Sequence, residues 1–190
     1  MWRRKPRGKP GMAEPMVTRR LQFRLLFGLL AFGIVFVRLL PLDAGAGRLP
    51  GPDLLVCLAF AWVLRRPAYV PVWLIAAVML MADILFMRPL GLWTACVVLG
   101  SEFLRAREPY SRDLPFLLEW MVVSVVISAM TLGYMIVLAV FAVGQPALGL
   151  SLIQMIATIL AYPVVVLFST SVIGLRKVAP GEVDQLGRKL

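Results

Sequence analysis

Long apolar runs separated by short polar stretches dominate this chain. They cover residues 25–42, 54–64, 68–87, 89–104, 114–143 and 147–175. Most of them approach or exceed the ~20 residues that an α-helix needs to cross a bilayer. The pattern therefore predicts an all-α integral membrane protein with one transmembrane domain, over residues 25–175.

The second run, "LLVCLAFAWVL", is much shorter than the others, so its length alone leaves an interfacial or re-entrant segment open. Charge decides the question, because short cytoplasmic loops collect lysine and arginine. With six spans, only Arg48 and Arg88 lie in outer loops, whereas five spans divide the cations almost evenly. We therefore predict a six-transmembrane-helix bundle with both termini cytoplasmic. Its second helix either gains length from the preceding "RLPGP" or thins the bilayer locally.

Composition supports a membrane protein and narrows its chemistry. Hydrophobic residues make up 61% of the chain and its mean hydropathy is +0.87, against the roughly 45–50% apolar content of a soluble domain. The net charge of +10 follows the positive-inside rule, so we expect contact with anionic lipid and no nucleic acid. The basic segment 1–24 is predicted to be a disordered cytoplasmic arm, and 176–190 a cytoplasmic tail.

Motifs for catalysis and metal binding are not found in the sequence. The chain has two cysteines, both in apolar runs, and no histidine, which argues against a disulfide framework, haem or zinc. No nucleophile elbow, zinc-protease or phosphate-loop motif occurs. We therefore expect no catalytic residue, no metal and no cofactor, and a protein that is not an enzyme.

Charged residues inside the predicted helices need a partner or a role, because burying a charge in a bilayer is costly. Asp83 and Arg38 lie at matching depth near the outer ends of helices three and one, so we predict an Arg38–Asp83 pair. In the alternative, Arg38 extends outward and Asp83 pairs with Arg88 or with interfacial water. Glu102 and Glu119 are expected to pair at the cytoplasmic side, with Arg105, Arg107 or Arg112.

Hydroxyl and amide side chains recur every three or four residues along the last apolar run, and therefore lie on one helix face. They are Ser151, Gln154, Thr158, Tyr162 and Ser169. Such a stripe permits close helix packing; alternatively, Gln154, Thr158 and Tyr162 line a polar ligand cavity. Pro163 is expected to kink this helix.

Two segments carry a resemblance to a known family. "GPDLLVCLAFAWVLRRP" is followed by "PVWLIAAVMLMADILFMRPLGLWTACVVLGSEFLRAREP". The chain resembles the rod-shape-determining MreD family over about residues 25–175. The matching positions are Pro52 and Asp53 opening helix two, Arg66 and Pro67 closing it, and Asp83, Pro89, Leu90 and Gly91 in the hairpin of helices three and four. Met79 stands where the family often has glycine, so helix packing at that point is expected to differ.

The resemblance implies a bundle similar to the substrate-binding subunits of energy-coupling-factor transporters. It also implies a multi-pass protein of the bacterial inner membrane that works in the cell-elongation complex. Its partners would be MreC and a SEDS glycosyltransferase with its class B penicillin-binding protein. The MreB filament is a candidate partner of the basic arm. The family has no established chemistry, so no catalytic residue is implied. Asp83 is expected to cap the helix after the turn or to hold Arg38, with Arg88 nearby, which would fix the outer end of the bundle.

Two functions of different classes follow. The first is a scaffold and regulator of peptidoglycan synthesis and cell shape. The second is a substrate-binding membrane subunit of a small-molecule transporter, whose cavity would be lined by the polar face of the last helix. The transporter requires an ATPase partner and a ligand, and the scaffold requires neither.

Overall fold

The computed structural model describes residues 14–40, 50–111, 115–144 and 147–171, apart from the side chains of 14–19 and 108–111. Within these ranges the protein is all-helical and contains no strand. The helices are α1 (Glu14–Leu39), α2 (Leu54–Arg65), α3 (Val72–Leu85), α4 (Leu92–Ser111), α5 (Phe116–Val140) and α6 (Leu148–Ser171), with a short 3₁₀ turn at Pro67–Tyr69.

Each predicted apolar run overlaps one of these helices, so the all-α prediction is confirmed. The main difference is at the amino-terminal side, where α1 begins at Glu14 and includes the last part of the arm predicted over 1–24. Residues 50–53 are not helical, so α2 is not lengthened by the described part of "RLPGP". The predicted tail, 176–190, and residues 1–13 lie outside the described residues.

Among the described residues, three helices are long and apolar enough to cross a membrane: Arg20–Leu39, Phe116–Val140 and Leu148–Ser171. Their length and composition are those of a membrane protein. The helices α2 and α3 are apolar but shorter, with 12 and 14 residues, which corresponds to about 18 and 21 Å at 1.5 Å per residue.

The short α2 is the centre of the bundle. Every residue from Leu55 to Arg65 is buried, and α6 and α4 pack most extensively against it. Helix α3 packs on α4 and α1, while α5 packs on α4 and α6. A helix that is apolar on all sides is expected at such a position, and α2 has hydrophobic side chains everywhere except its last residue.

Helices that follow one another along the chain run in opposite directions. Arg38, at the end of α1, reaches the residues before α2, and Asp83, near the end of α3, contacts the start of α4. Arg105, late in α4, reaches the segment between α2 and α3. We call the end of the bundle that holds Arg38 and Asp83 the Asp83 end, and the opposite end, which holds Arg105 and Glu119, the Glu119 end.

Candidate functional site

Asp83 caps helix α4 from the neighbouring helix. Its side chain is fully buried, and its Oδ2 atom accepts a hydrogen bond of 2.8 Å from the Thr94 hydroxyl and one of 3.2 Å from the Thr94 backbone N–H. Thr94 lies in the first turn of α4, where backbone N–H groups have no partner within the helix. One of the two predicted roles of Asp83, capping the helix after the turn, is therefore confirmed.

The predicted pair between Arg38 and Asp83 is wrong. The Arg38 guanidinium donates hydrogen bonds to the carbonyl oxygens of Gly51, at 3.0 Å, and Pro52, at 2.6 Å. It also lies over the ring of Phe86, 5.7 Å from its centroid. The physical reason is that the non-helical backbone before α2 has carbonyl groups that need donors, and the Arg38 guanidinium satisfies two of them.

The turn between α3 and α4 depends on two backbone conformations with positive φ. Gly91 has a φ of +80°, and Met87, just after α3, has a φ of 52°. The backbone N–H of Arg88 donates to the Asp83 carbonyl oxygen at 3.0 Å, which is the 6→1 bond of a Schellman motif with Met87 at its left-handed position. Pro89 accepts from the Leu92 N–H at 3.3 Å. Pro89 and Gly91 therefore form the turn that the sequence predicted.

Asp53 connects the start of α2 to α6 and to Arg88. Its backbone N–H donates to Thr158 Oγ1 at 2.9 Å, and that hydroxyl donates to the Gln154 carbonyl oxygen at 2.7 Å. Asp53 Oδ2 lies 3.5 Å from Arg88 Nη1. The alternative pairing of Arg88 with Asp83 is therefore also wrong, because Arg88 pairs with Asp53. The Asp53 side chain makes no capping bond to α2, and it is 4% exposed.

A cavity of about 130 Å³ lies beside Asp53, between α2, α4, α5 and α6. Polar groups and apolar side chains share its wall. The lining residues are Asp53, Val56, Arg88, Trp93, Ile127, Met130, Thr131, Tyr134, Met135, Ser151, Gln154, Met155 and Thr158. Of the three residues that the sequence proposed for a cavity, Gln154 and Thr158 lie in it.

Tyr162 does not line this cavity but belongs to a buried polar cluster near the Glu119 end. Its hydroxyl donates to Glu119 Oε1 at 2.8 Å, and the same oxygen lies 3.0 Å from Arg65 Nη1. The Arg65 and Glu119 side chains are 4% and 1% exposed. Three helices, α2, α5 and α6, are thus joined by one carboxylate oxygen.

Arg65, which the sequence did not indicate as a partner, contacts Glu119, while Arg105 bonds elsewhere. Arg105 Nε donates to Glu102 Oε1 at 2.7 Å, which confirms the predicted pairing of Glu102. Its other two nitrogens donate to the carbonyl oxygens of Pro67 and Val70, at 2.9 and 2.7 Å. Arg65 is the buried residue of this cluster that sequence reasoning missed. Its position at the end of an entirely apolar helix was the available signal.

Helix α6 continues through Pro163. Proline has no N–H to donate to the carbonyl oxygen four residues earlier, which belongs to Ile159. That oxygen instead accepts a hydrogen bond of 2.9 Å from the Trp120 indole Nε1. A side chain of α5 thereby replaces the missing helical bond and joins α5 to α6.

Within the part of the chain that the structure describes, the Asp83 end of the bundle is therefore well equipped to bind a ligand. It combines a cavity, a buried carboxylate, a guanidinium and several hydroxyl and amide groups. Among the described residues, no group of three or more His, Cys, Asp or Glu is placed to hold a metal ion. Comparisons with protein-family models, with curated proteins and with solved structures found no match to this chain.

Proposed function

We propose that this chain is a non-catalytic scaffold and regulator of the bacterial cell-elongation complex, built like the MreD family it resembles. It binds an MreC-type single-span protein and modulates the SEDS glycosyltransferase and its class B penicillin-binding protein, and thereby cell shape. Its location is the inner membrane. Its basic arm contacts anionic lipid and is the segment proposed to contact MreB.

The observation that carries this proposal is that the buried carboxylates form hydrogen bonds and an ion pair between helices. Asp83 joins α3 to α4 through Thr94. Glu119 joins α5 to α2 and α6 through Arg65 and Tyr162. Groups bonded in this way hold helices in a fixed arrangement, which suits a surface that a partner's transmembrane helix must recognise.

The proposal includes six spans with the Asp83 end outside and both termini in the cytoplasm. The alternating directions of successive helices and the concentration of cations at the other end support this topology. Alkaline phosphatase inserted at the turn near Pro89 should be active, and a fluorescent protein after residue 190 should fluoresce. The opposite pair of results would contradict the topology.

The test of function is a pull-down of the full chain, tagged at its carboxyl terminus, from its native membrane in a gentle detergent. The expected result is co-purification of an MreC-type protein and the synthase pair. Asp83→Ala should reduce their recovery, because it removes the hydrogen bonds to Thr94 that join α3 to α4. Glu102→Gln is the matched control, since its carboxylate is 43% exposed and lies at the other end. Recovery of neither partner with the unmodified chain would refute the scaffold.

A second candidate, the substrate-binding subunit of a small-molecule transporter, is favoured by one observation. The cavity beside Asp53 contains two of the three residues expected for it, Gln154 and Thr158. The same pull-down separates the two candidates, because a transporter subunit would recover an ATPase and its coupling subunit.

A further inference from the structure

The wall of the cavity contains a buried carboxylate oxygen and a buried indole N–H that the protein leaves without hydrogen bonds. Asp53 is 4% exposed, and its Oδ1 has no hydrogen-bond partner in the described part of the chain. The same holds for Trp93 Nε1. Both residues line the cavity. A buried polar atom without a partner is costly, so these two atoms fit a ligand that both donates and accepts hydrogen bonds.

The charges of the wall specify that ligand further. Arg88 and Asp53 both line the cavity and lie 3.5 Å apart, so the wall carries a positive and a negative group that nearly cancel. A ligand with a net charge would be repelled by one of them, and in a poorly solvated site such repulsion is weakly screened. A ligand that itself carries an ammonium and an anionic group matches both, through charge-assisted hydrogen bonds.

The remaining wall limits the size and sets the orientation of such a ligand. A cavity of about 150 Å³ holds a molecule the size of benzene, so about 130 Å³ holds a compact group of about six heavy atoms. Ser151 and Gln154 lie on the α6 side and offer further donors and acceptors. Aromatic rings of Trp93 and Tyr134, with centroids 5.2 Å apart, form an adjoining apolar wall.

We propose that this cavity binds a small zwitterion, with its ammonium on Asp53 Oδ1 and its anionic group on Arg88 and the Trp93 indole N–H. The group comes either from a free molecule of the amino-acid type or from the head group of phosphatidylethanolamine. The inference goes beyond the scaffold function, which needs no ligand. It is also independent of transport, because a bound zwitterion can regulate a scaffold without crossing the membrane.

The test uses the full chain purified in mild detergent and isothermal titration calorimetry. The probes are glycine and O-phosphoethanolamine as zwitterions, and ethanolamine and acetate as their single-charge halves. At least one zwitterion should bind about tenfold more tightly than either half, a difference of about 1.4 kcal/mol. Native mass spectrometry of protein extracted from membranes with phosphatidylethanolamine and phosphatidylglycerol then identifies the source. Selective retention of phosphatidylethanolamine shows that the bound zwitterion is the lipid head group. If no phosphatidylethanolamine is retained but a soluble zwitterion binds, the ligand is a free molecule.

Variants connect the binding to the named atoms. Asp53→Asn should weaken zwitterion binding about tenfold or more, because a charge-assisted bond is lost. Trp93→Phe, which keeps the apolar wall, should weaken it about three- to tenfold. Glu102→Gln is the matched control and should bind as the unmodified chain does. The proposal is overturned if no probe or lipid binds, if a half binds as well as the zwitterion, or if folded Trp93→Phe and Asp53→Asn both bind normally.

The result also separates this inference from the functions proposed above. Zwitterion binding together with recovery of the elongation partners gives a scaffold with a regulatory ligand. Recovery of those partners without any binding refutes the cavity assignment alone.

Discussion

Replacing Glu119 alone should destabilise this protein more than replacing Glu119 and Arg65 together. The two side chains are 1% and 4% exposed and lie 3.0 Å apart. Removing one partner of such a pair leaves a buried charge, which costs about 3–5 kcal/mol. We therefore expect losses of about that size for Glu119→Leu and for Arg65→Met, measured as the free energy of unfolding.

The double variant should behave differently, because it leaves no buried charge. Its main remaining defect is the Tyr162 hydroxyl, which loses its carboxylate acceptor and so costs about 1–3 kcal/mol. Adding Tyr162→Phe should then recover most of that loss. The predicted order of stability is the triple variant above the double, and the double above either single.

Unfolding by SDS in mixed micelles, followed through the fluorescence of the five tryptophans, measures these differences. Glu102→Leu serves as the control, since its ion pair with Arg105 is partly exposed and should contribute less than about 1 kcal/mol. Additive single losses, which would place the double variant about 6–10 kcal/mol below the unmodified chain, would refute the reasoning.

Three further predictions use the same unfolding measurement. Asp83→Ala should cost about 1–3 kcal/mol, because it leaves the Thr94 donors unsatisfied; no loss would show that the cap is unimportant. Trp120→Phe should cost about 1 kcal/mol, and less in a Pro163→Ala background, where α6 regains its own hydrogen bond; an equal loss in both backgrounds would contradict this. Met87→Gly should stabilise the chain by about 1 kcal/mol, since only glycine adopts its left-handed conformation without strain, and destabilisation would contradict it.

Helix positions were predictable from the sequence because an apolar run in a membrane protein is itself the signal for a helix. The run at 54–64 and the helix Leu54–Arg65 differ by one residue. The start of α1 was missed, since residues 14–24 have no apolar period and become helical as an extension of the apolar helix that follows. Periodicity cannot report such an extension.

Contacts within the site were predictable only where they are local. The cap of α4 by Asp83 joins residues 11 positions apart across one tight turn, so the order of residues already places them together. The pair of Arg65 and Glu119 joins residues 54 positions apart. Its prediction would have required knowing that α2 lies at the centre of the bundle, because only that position brings the end of α2 against α5.

The shortness of α2 explains why several polar side chains of this protein hydrogen-bond to backbone groups. In the proposed six-span topology, a helix of about 18 Å ends well inside a bilayer whose hydrocarbon core is about 30 Å thick. Non-helical backbone at that depth is tolerated only where protein groups satisfy it. At one end, Arg38 bonds the carbonyls of residues 51 and 52, and Thr158 bonds the N–H of residue 53. At the other, Arg105 bonds the carbonyls of residues 67 and 70.

These side chains support a short helix at the centre of the bundle. At the Asp83 end, the cavity lies beside the start of α2, where α6 has ten residues before Thr158, the residue that bonds Asp53. The same shortness that requires Arg38 and Thr158 to satisfy backbone groups therefore also creates room for a ligand beside Asp53. A longer α2 would fill this room with its own next turn and would leave Asp53 and Arg88 nothing to bind.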